Sequence, residues 1–276
     1  MLNFDYHIGT EIFFGRGQLA KLPAAIRRHT DKVLLCYGGG SVKRTGLLAQ
    51  VQSALCEAGI SYVELAGVEP NPRTTTVDRG AALCRQHDLG GVLAVGGGST
   101  IDCAKVVAAA RFYSGPAWDL IERKAPVTQV LPVFSVLTLS ATGSEMDDVA
   151  VISNWQTSEK RSIAHPAMRP VASVLDPAYT FTVPANQTAA GTADIMSHTL
   201  ETYFSRCQTG YLQDRMAEAI ENVHPLWAHC PAHAGRLHRP GQPDVGLQPR
   251  HQRHHCPGQR VPVERAHHGA PAFGLL

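Results

Sequence analysis

Short apolar runs alternate with amphipathic stretches over most of the chain. Residues 33–37 and 91–95 are nearly uninterrupted apolar runs bounded by glycine, the pattern of strands covered on both faces. Between them, residues 47–56 place Leu47, Leu48, Val51 and Leu55 on one face and predict a helix. Residues 61–65 predict a further strand and 75–87 a second helix, separated by the loop Glu69-Pro70-Asn71-Pro72. This βαβαβ alternation predicts an α/β fold: a doubly wound parallel sheet, Rossmann-like. An apolar segment at 130–138 and strands at 149–153 and 171–175 extend it. Thr182-Val183-Pro184 then marks a change of character. The pattern from Ala185 to Val223 is helical: 188–205, a break at Thr209-Gly210, and 211–223. The expected organisation is an α/β domain over 1–181, the start of an all-helical domain over 182–223, and a third segment over 224–276.

Both apolar runs end in glycine. Gly38, Gly39, Gly40 and Ser41 follow the first; Gly96, Gly97, Gly98 and Ser99 follow the second and lead into a helical pattern from Thr100. At a strand-to-helix turn, glycine lets the backbone approach a ligand, and the amides opening the helix point at it. That geometry suits phosphate or pyrophosphate, at the carboxyl ends of strands where such sheets bind ligands. A lone Gly-rich turn also reads as a tight βα loop. Asp102 and Lys105 lie in the first turns of the same helix. Further on, Asp194 and His198 stand at i and i+4 on one helical face. They can present a carboxylate and an imidazole to one divalent cation, Fe(II) or Zn. The same pair also reads as a surface hydrogen bond, and two donors do not complete a site.

Composition refines this picture. The 276 residues are 44% hydrophobic and 17% charged, ordinary for a globular protein of one large or two modest domains. No stretch approaches a membrane span, and residues 1–5 show no signal peptide, so a cytoplasmic location is expected. Seven cysteines are scattered without a CxxC pair and read as buried, reduced thiols. Residues 224–276 differ from the rest. They hold nine of the fourteen histidines and eight of the eighteen prolines, and lack Lys, Ser, Thr, Tyr, Ile, Met and Asn. They also carry six Arg against Asp244 and Glu264, which leaves 1–223 with 19 basic and 21 acidic side chains. The basic excess thus belongs to the tail, and no nucleic-acid partner is expected for the body.

The motifs together resemble one family. Residues 173–201, with Asp176, Pro184, Gly191, Asp194 and His198, are similar to the signature of the iron-containing (group III) alcohol dehydrogenases. Gly96 to Lys105 resembles that family's GGGSxxDxAK turn, and Thr138 to Glu145 its TLxATGSE segment near the nicotinamide. Residues 38–46 resemble the butanol dehydrogenase and broad aldehyde reductase branch. The resemblance implies a dinucleotide-binding domain, a helical domain and an active site in the cleft between them. It implies a metal acting as Lewis acid on a small alcohol or aldehyde, with hydride transfer at nicotinamide C4. Family metal sites use one Asp and three His; Asp194 and His198 match the first two. Gly96, Gly97, Gly98 and Ser99 match the pyrophosphate cradle, and Asn71, Asp102, Thr138, Leu139, Thr142, Lys160 and Tyr179 fall on cofactor-contact positions. A homodimer is an assembly the resemblance allows.

Cofactor choice is argued from residues. No Asp or Glu occurs between Asp31 and Glu57, where an acidic group would favour NAD. Gly39, Gly40, Ser41, Lys43 and Arg44 stand there instead and can donate to a 2′-phosphate, so NADP(H) is expected. The alternative is that Lys43 and Arg44 are solvated helix-start charges. Close relatives carry Asn, followed by a small residue, where this chain has Asp147-Asp148. The two carboxylates are expected to face the cofactor phosphates and weaken binding.

Nothing from His224 onward resembles the family. His254-His255-Cys256 and His267-His268 look like metal ligands by composition, but a frameshift near Val223 in GC-rich DNA is the reading favoured. Residues 224–276 are expected to be largely disordered. A site limited to Asp194 and His198 is expected to hold metal weakly and to leave little dehydrogenase activity. A glycerol dehydrogenase-like or dehydroquinate synthase-like enzyme, and a non-catalytic protein that binds only the dinucleotide, are the alternatives.

Overall fold

The computed structural model describes residues 8–204 and 210–229. Its centre is a six-stranded sheet, parallel throughout: β1 (Glu11–Phe14), β2 (Lys32–Gly38), β3 (Ser61–Val68), β4 (Gly91–Gly96), β5 (Val133–Leu137) and β8 (Ala172–Leu175), in the order β1-β8-β5-β4-β2-β3. The doubly wound α/β fold expected from the sequence is therefore present. Central strands are buried on both faces, which is why β4 reads as a continuous apolar run and β5 as one broken only at Ser135.

Side chains alternate between two cores. In β2, Val33, Leu35 and Tyr37 pack with α1 (Leu22–Arg27), α2 (Ser41–Arg44) and α3 (Leu47–Glu57) on one side. Leu34 and Cys36 pack with α4 (Thr74–Gln86), α5 (Gly98–Ala110) and α6 (Ala117–Ile121) on the other. The α5 helix is enclosed almost completely, with an unbroken buried stretch from Cys103 to Ala110 that includes Lys105. One polar pair lies inside the sheet: Ser135 of β5 faces Ser173 of β8 and donates to it at 2.7 Å, and Ser173 donates to the Glu145 carbonyl at 2.8 Å.

The chain steps from β2 outward to β3 and then back across β2 to β4. The crevice between the carboxyl ends of β2 and β4 is thus the topological switch point, and both Gly-rich turns flank it. An antiparallel hairpin, β6 (Val149–Asn154) with β7 (Glu159–Ala164), lies over α5 and is joined to the loop before α4 by the Ser153 N–H to Pro72 carbonyl bond of 2.9 Å.

Beyond β8 the chain becomes helical. Helix α7 (Ala185–Tyr203) follows Pro184, and α8 (Gly210–His229) packs against it. The expected end of α8 at Val223 is corrected: the helix continues through the compositional seam to His229. The expected disorder of the remaining tail falls on residues outside those described. No helix among the described residues is long and apolar enough to cross a membrane. Cys36, Cys84 and Cys103 are free and buried, as expected, but Cys56 is free and exposed. Cys207, Cys230 and Cys256 lie outside the described residues.

Candidate functional site

The turn after β4 is shaped for a ligand approaching the backbone. Gly97 stands at the N-cap of α5 in an extended conformation, and no described side chain caps that helix. Its opening amides are therefore offered to an incoming anion. A Cβ on Gly98 would lie 2.5 Å from Thr142 Oγ1, and one on Gly97 would lie 3.3 Å from Leu139 Cβ. The loop between β5 and β6 closes directly onto the turn, with room for backbone alone.

A cleft of about 250 Å³ opens beside this contact. Ser41, Gly97, Thr138, Leu139 and Tyr179 line it, together with Arg44 and the segment Thr182-Val183-Pro184. Six residues singled out in the sequence as cofactor contacts, Ser41, Arg44, Gly97, Thr138, Leu139 and Tyr179, thus line one cleft. Arg44 folds back so that its Nη1 lies 3.3 Å from where a Gly40 side chain would begin. Lys43 leans elsewhere, with Nζ 5.1 Å from the centre of the Tyr37 ring. Arg44, rather than Lys43, supplies the positive charge at the cleft. Gly38 and Gly39 form the turn leading to it.

On the other side of Gly97–Ser99 stand Asn71 and Lys160. Lys160 Nζ donates to Asn71 Oδ1 at 2.7 Å, and the Asn71 amide reaches Ser99 Oγ at 3.4 Å. Lys160 borders a second hollow of about 270 Å³ with Ser153, Asn154 and Trp155. Trp155 is exposed but lies under the Arg73 guanidinium, 3.7 Å from its ring centre.

Asp102 turns toward the β5–β6 loop. Its Oδ1 accepts from Ser144 Oγ at 2.6 Å and its Oδ2 from the Val151 amide at 2.9 Å. Crowding by protein atoms raises its pKa to about 6, against the pull of Lys105 and of both hydrogen bonds. The expectation that Asp147 and Asp148 face the cofactor phosphates is overturned. Asp147 is buried and accepts from Lys105 Nζ at 2.5 Å, while Asp148 pairs with Arg169 at 3.5 Å. Burial nonetheless raises the Asp147 carboxyl pKa, with Lys105 opposing the rise. Sequence reasoning assigned Lys105 no function. A signal existed: five apolar residues, Val106 to Ala110, follow it and leave the helix no solvent face.

Helix α7, which carries the metal candidates, touches the same loop at Gly191. Gly191 packs so closely that a Cβ there would lie 2.9 Å from the Ser140 carbonyl oxygen. Two turns on, His198 Nε2 stands 3.7 Å from Oδ1 of Asp194, one turn before it. His198 Nδ1 is buried and has no hydrogen-bond partner among the described residues. An imidazole and a carboxylate on one face suit Fe(II) or Zn(II) as two members of a coordination shell. No cluster of three or more His, Cys, Asp or Glu able to hold a metal occurs among the described residues.

Comparison with known proteins places these features. The family model for iron-containing alcohol dehydrogenases matches residues 9–177. Over 220 residues the chain is 56% identical to the NADH-dependent butanol dehydrogenase A of Clostridium acetobutylicum, covering 80% of this chain and 57% of the relative. Over 223 residues it is 42% identical to the NADPH-dependent aldehyde reductase YqhD of Escherichia coli, again covering 80% and 57%. Among solved structures, the NADH-dependent butanol dehydrogenase A of Thermotoga maritima superposes with a TM-score of 0.80 at 39% identity, covering 83% of this chain and 58% of that one. The chain spans a little over half the length of these relatives. A family model matched over more than half of its residues, on a shared fold, establishes that the chain belongs to the iron-containing alcohol dehydrogenase family.

Proposed function

We propose that the chain forms the dinucleotide-binding part, and two of the metal donors, of an NADP(H)-dependent oxidoreductase acting on primary alcohols and aldehydes such as butanol and butanal. The observation that carries this reading is the convergence at one switch point of the uncapped α5 N-terminus, the cleft from Ser41 to Pro184, and the loop against which α7 docks.

Each element has a task. The amides opening α5, with Gly96, Gly97, Gly98 and Ser99, receive the pyrophosphate. Thr138, Leu139, Thr142 and Tyr179 enclose the nucleoside beside it, while Asn71 and Lys160 offer an amide and an ammonium to ribose hydroxyls. Asp194 and His198 would hold a divalent iron or zinc ion. When bound, that ion supplies Lewis acidity to the substrate oxygen. Oxidation removes a hydride from the alcohol carbon to nicotinamide C4 and a proton from the hydroxyl; reduction of the aldehyde returns both. The gap between α7 and the cradle is where the two reactants meet.

Arg44 supports the choice of NADP(H), because a guanidinium beside the turn matches a 2′-phosphate. A second reading, NAD(H), is favoured by the printed names of the Clostridium and Thermotoga relatives. Titration of the chain with NADPH and with NADH, followed by quenching of tryptophan fluorescence, separates them. NADPH is expected to bind more tightly, and Arg44→Ala to lower NADPH affinity about tenfold with little change for NADH. Equal response of both cofactors to Arg44→Ala transfers support to NAD(H). Sustained butanal reduction by the chain alone would show that donors outside the described residues complete the metal shell.

A further inference from the structure

The loop joining β5 to β6 covers the phosphate turn with Leu139 and Thr142. Two attachments lie farther along: the Ser173 hydroxyl, which donates to the Glu145 carbonyl, and a lysine with no solvent exposure. Lys105 Nζ donates to Ser144 Oγ at 3.0 Å, to Asp147 Oδ1 at 2.5 Å and to the Val149 carbonyl at 2.9 Å. An ammonium has three protons, and all three are used. Ser144, accepting from Lys105, donates its own hydroxyl hydrogen bond to Asp102. Asp147 Oδ1 also accepts from the Val149 amide at 3.0 Å, and Asp102 Oδ2 from the Val151 amide. The hydrogen bonds run in one direction, from Lys105 through Ser144 to Asp102, so the loop has one seating rather than several.

We propose that Lys105 is a positioning residue for dinucleotide binding, holding the β5–β6 loop at the height where Leu139 and Thr142 close on Gly97 and Gly98. The proposal rests on the reading of that turn as a dinucleotide site. Lys105 touches neither the cleft nor the turn; it acts through Ser144, Asp147 and Val149. Released from the anchor, Leu139 and Thr142 must be ordered each time ligand binds, and affinity falls accordingly.

Two variants of the full chain separate positioning from mere stability. Asp147→Asn retains an oxygen acceptor for both the Lys105 ammonium and the Val149 amide. Adding Lys105→Met removes the ammonium without leaving an opposing charge at 147. Melting temperature and the NADPH and NADH dissociation constants are measured for wild type, single and double variants. The single variant is expected to bind within about twofold of wild type. The double variant is expected to fold but to melt below the single one, because the Val149 carbonyl and the residue-147 oxygen lose their donor and Asp102 loses its nearby cation, and to bind both dinucleotides about tenfold more weakly. A folded double variant that binds like the single one overturns the proposal. If the double variant does not fold, Ser144→Ala decides instead, because it removes one anchor and leaves the ion pair. Unchanged affinity there also overturns the proposal. A wild-type chain that binds neither dinucleotide refutes the underlying reading of the turn, an outcome distinct from wild-type binding with indifferent variants.

Discussion

Replacing Lys105 alone with Met tests how the buried charges are balanced. The substitution removes the ammonium and leaves Asp147 beside it, 9% exposed, with no cation in contact. Stripping one partner from a buried ion pair costs about 3–5 kcal/mol. For a domain of this size that corresponds to a melting temperature lower by roughly 6–20 °C. The loss carries a pH signature. Burial already raises the pKa of both Asp102 and Asp147, and Lys105 opposes the rise in each. Without Lys105 both folded-state values climb further, while the unfolded value stays near 3.8. The folded chain then holds protons that the unfolded chain releases, so stability is lost as pH rises through that window. The difference from wild type should be greatest above about pH 7 and shrink as both carboxyls protonate toward about pH 4. Urea unfolding of both proteins across this range measures it. A difference that stays constant with pH would refute the account, because the cost would then come from packing rather than from an unbalanced charge.

Two further substitutions probe the same region. Gly191→Ala would normally stabilise a helix by about 1 kcal/mol, but the added carbon meets the Ser140 carbonyl and is expected to destabilise by about 1–3 kcal/mol; a rise in melting temperature would show that α7 does not press on the loop. Asp102→Asn removes a carboxyl whose pKa rises from 3.8 to about 6 on folding, so the variant should gain on wild type by up to about 3 kcal/mol as pH rises through that interval; parallel stability curves would count against that assignment.

The legible parts of the fold were those buried on both faces. Strands β2 and β4 show as apolar runs because helices cover each side, and the glycines after them mark where the backbone must turn tightly. Edge and surface elements carry no such signal. Strand β1 has only four residues at the sheet edge, and β7 is a partly exposed strand in which Glu159, Lys160 and Arg161 leave no apolar run. The site divides in the same way. Thr138, Leu139, Tyr179 and Ser41 line one cleft because each lies beyond the carboxyl end of a strand of the same parallel sheet: Ser41 after β2, Thr138 and Leu139 after β5, Tyr179 after β8. The orientation of Asp147 could not be read, since a carboxylate two residues from a Gly-Ser-Glu turn points inward or outward according to a partner 42 positions away. Lys105 was hidden for a related reason: lysine in a helix ordinarily signifies water, and only full enclosure of α5 reverses that meaning.

The hydroxyl pair inside the sheet has a consequence for fidelity rather than strength. β5 and β8 are otherwise built of aliphatic and aromatic side chains that exchange places at small cost. A slip of two residues preserves which face each side chain occupies, so burial alone hardly distinguishes the alignments. With Ser135 opposite Ser173 only the observed alignment satisfies both hydroxyls. A slip would set Ser135 against Val171 or Leu175 and strand each hydroxyl in the interior, at about 1–3 kcal/mol apiece. Two small polar groups thus act as a vernier, selecting one alignment among near-equals and fixing the height at which the segments after both strands emerge.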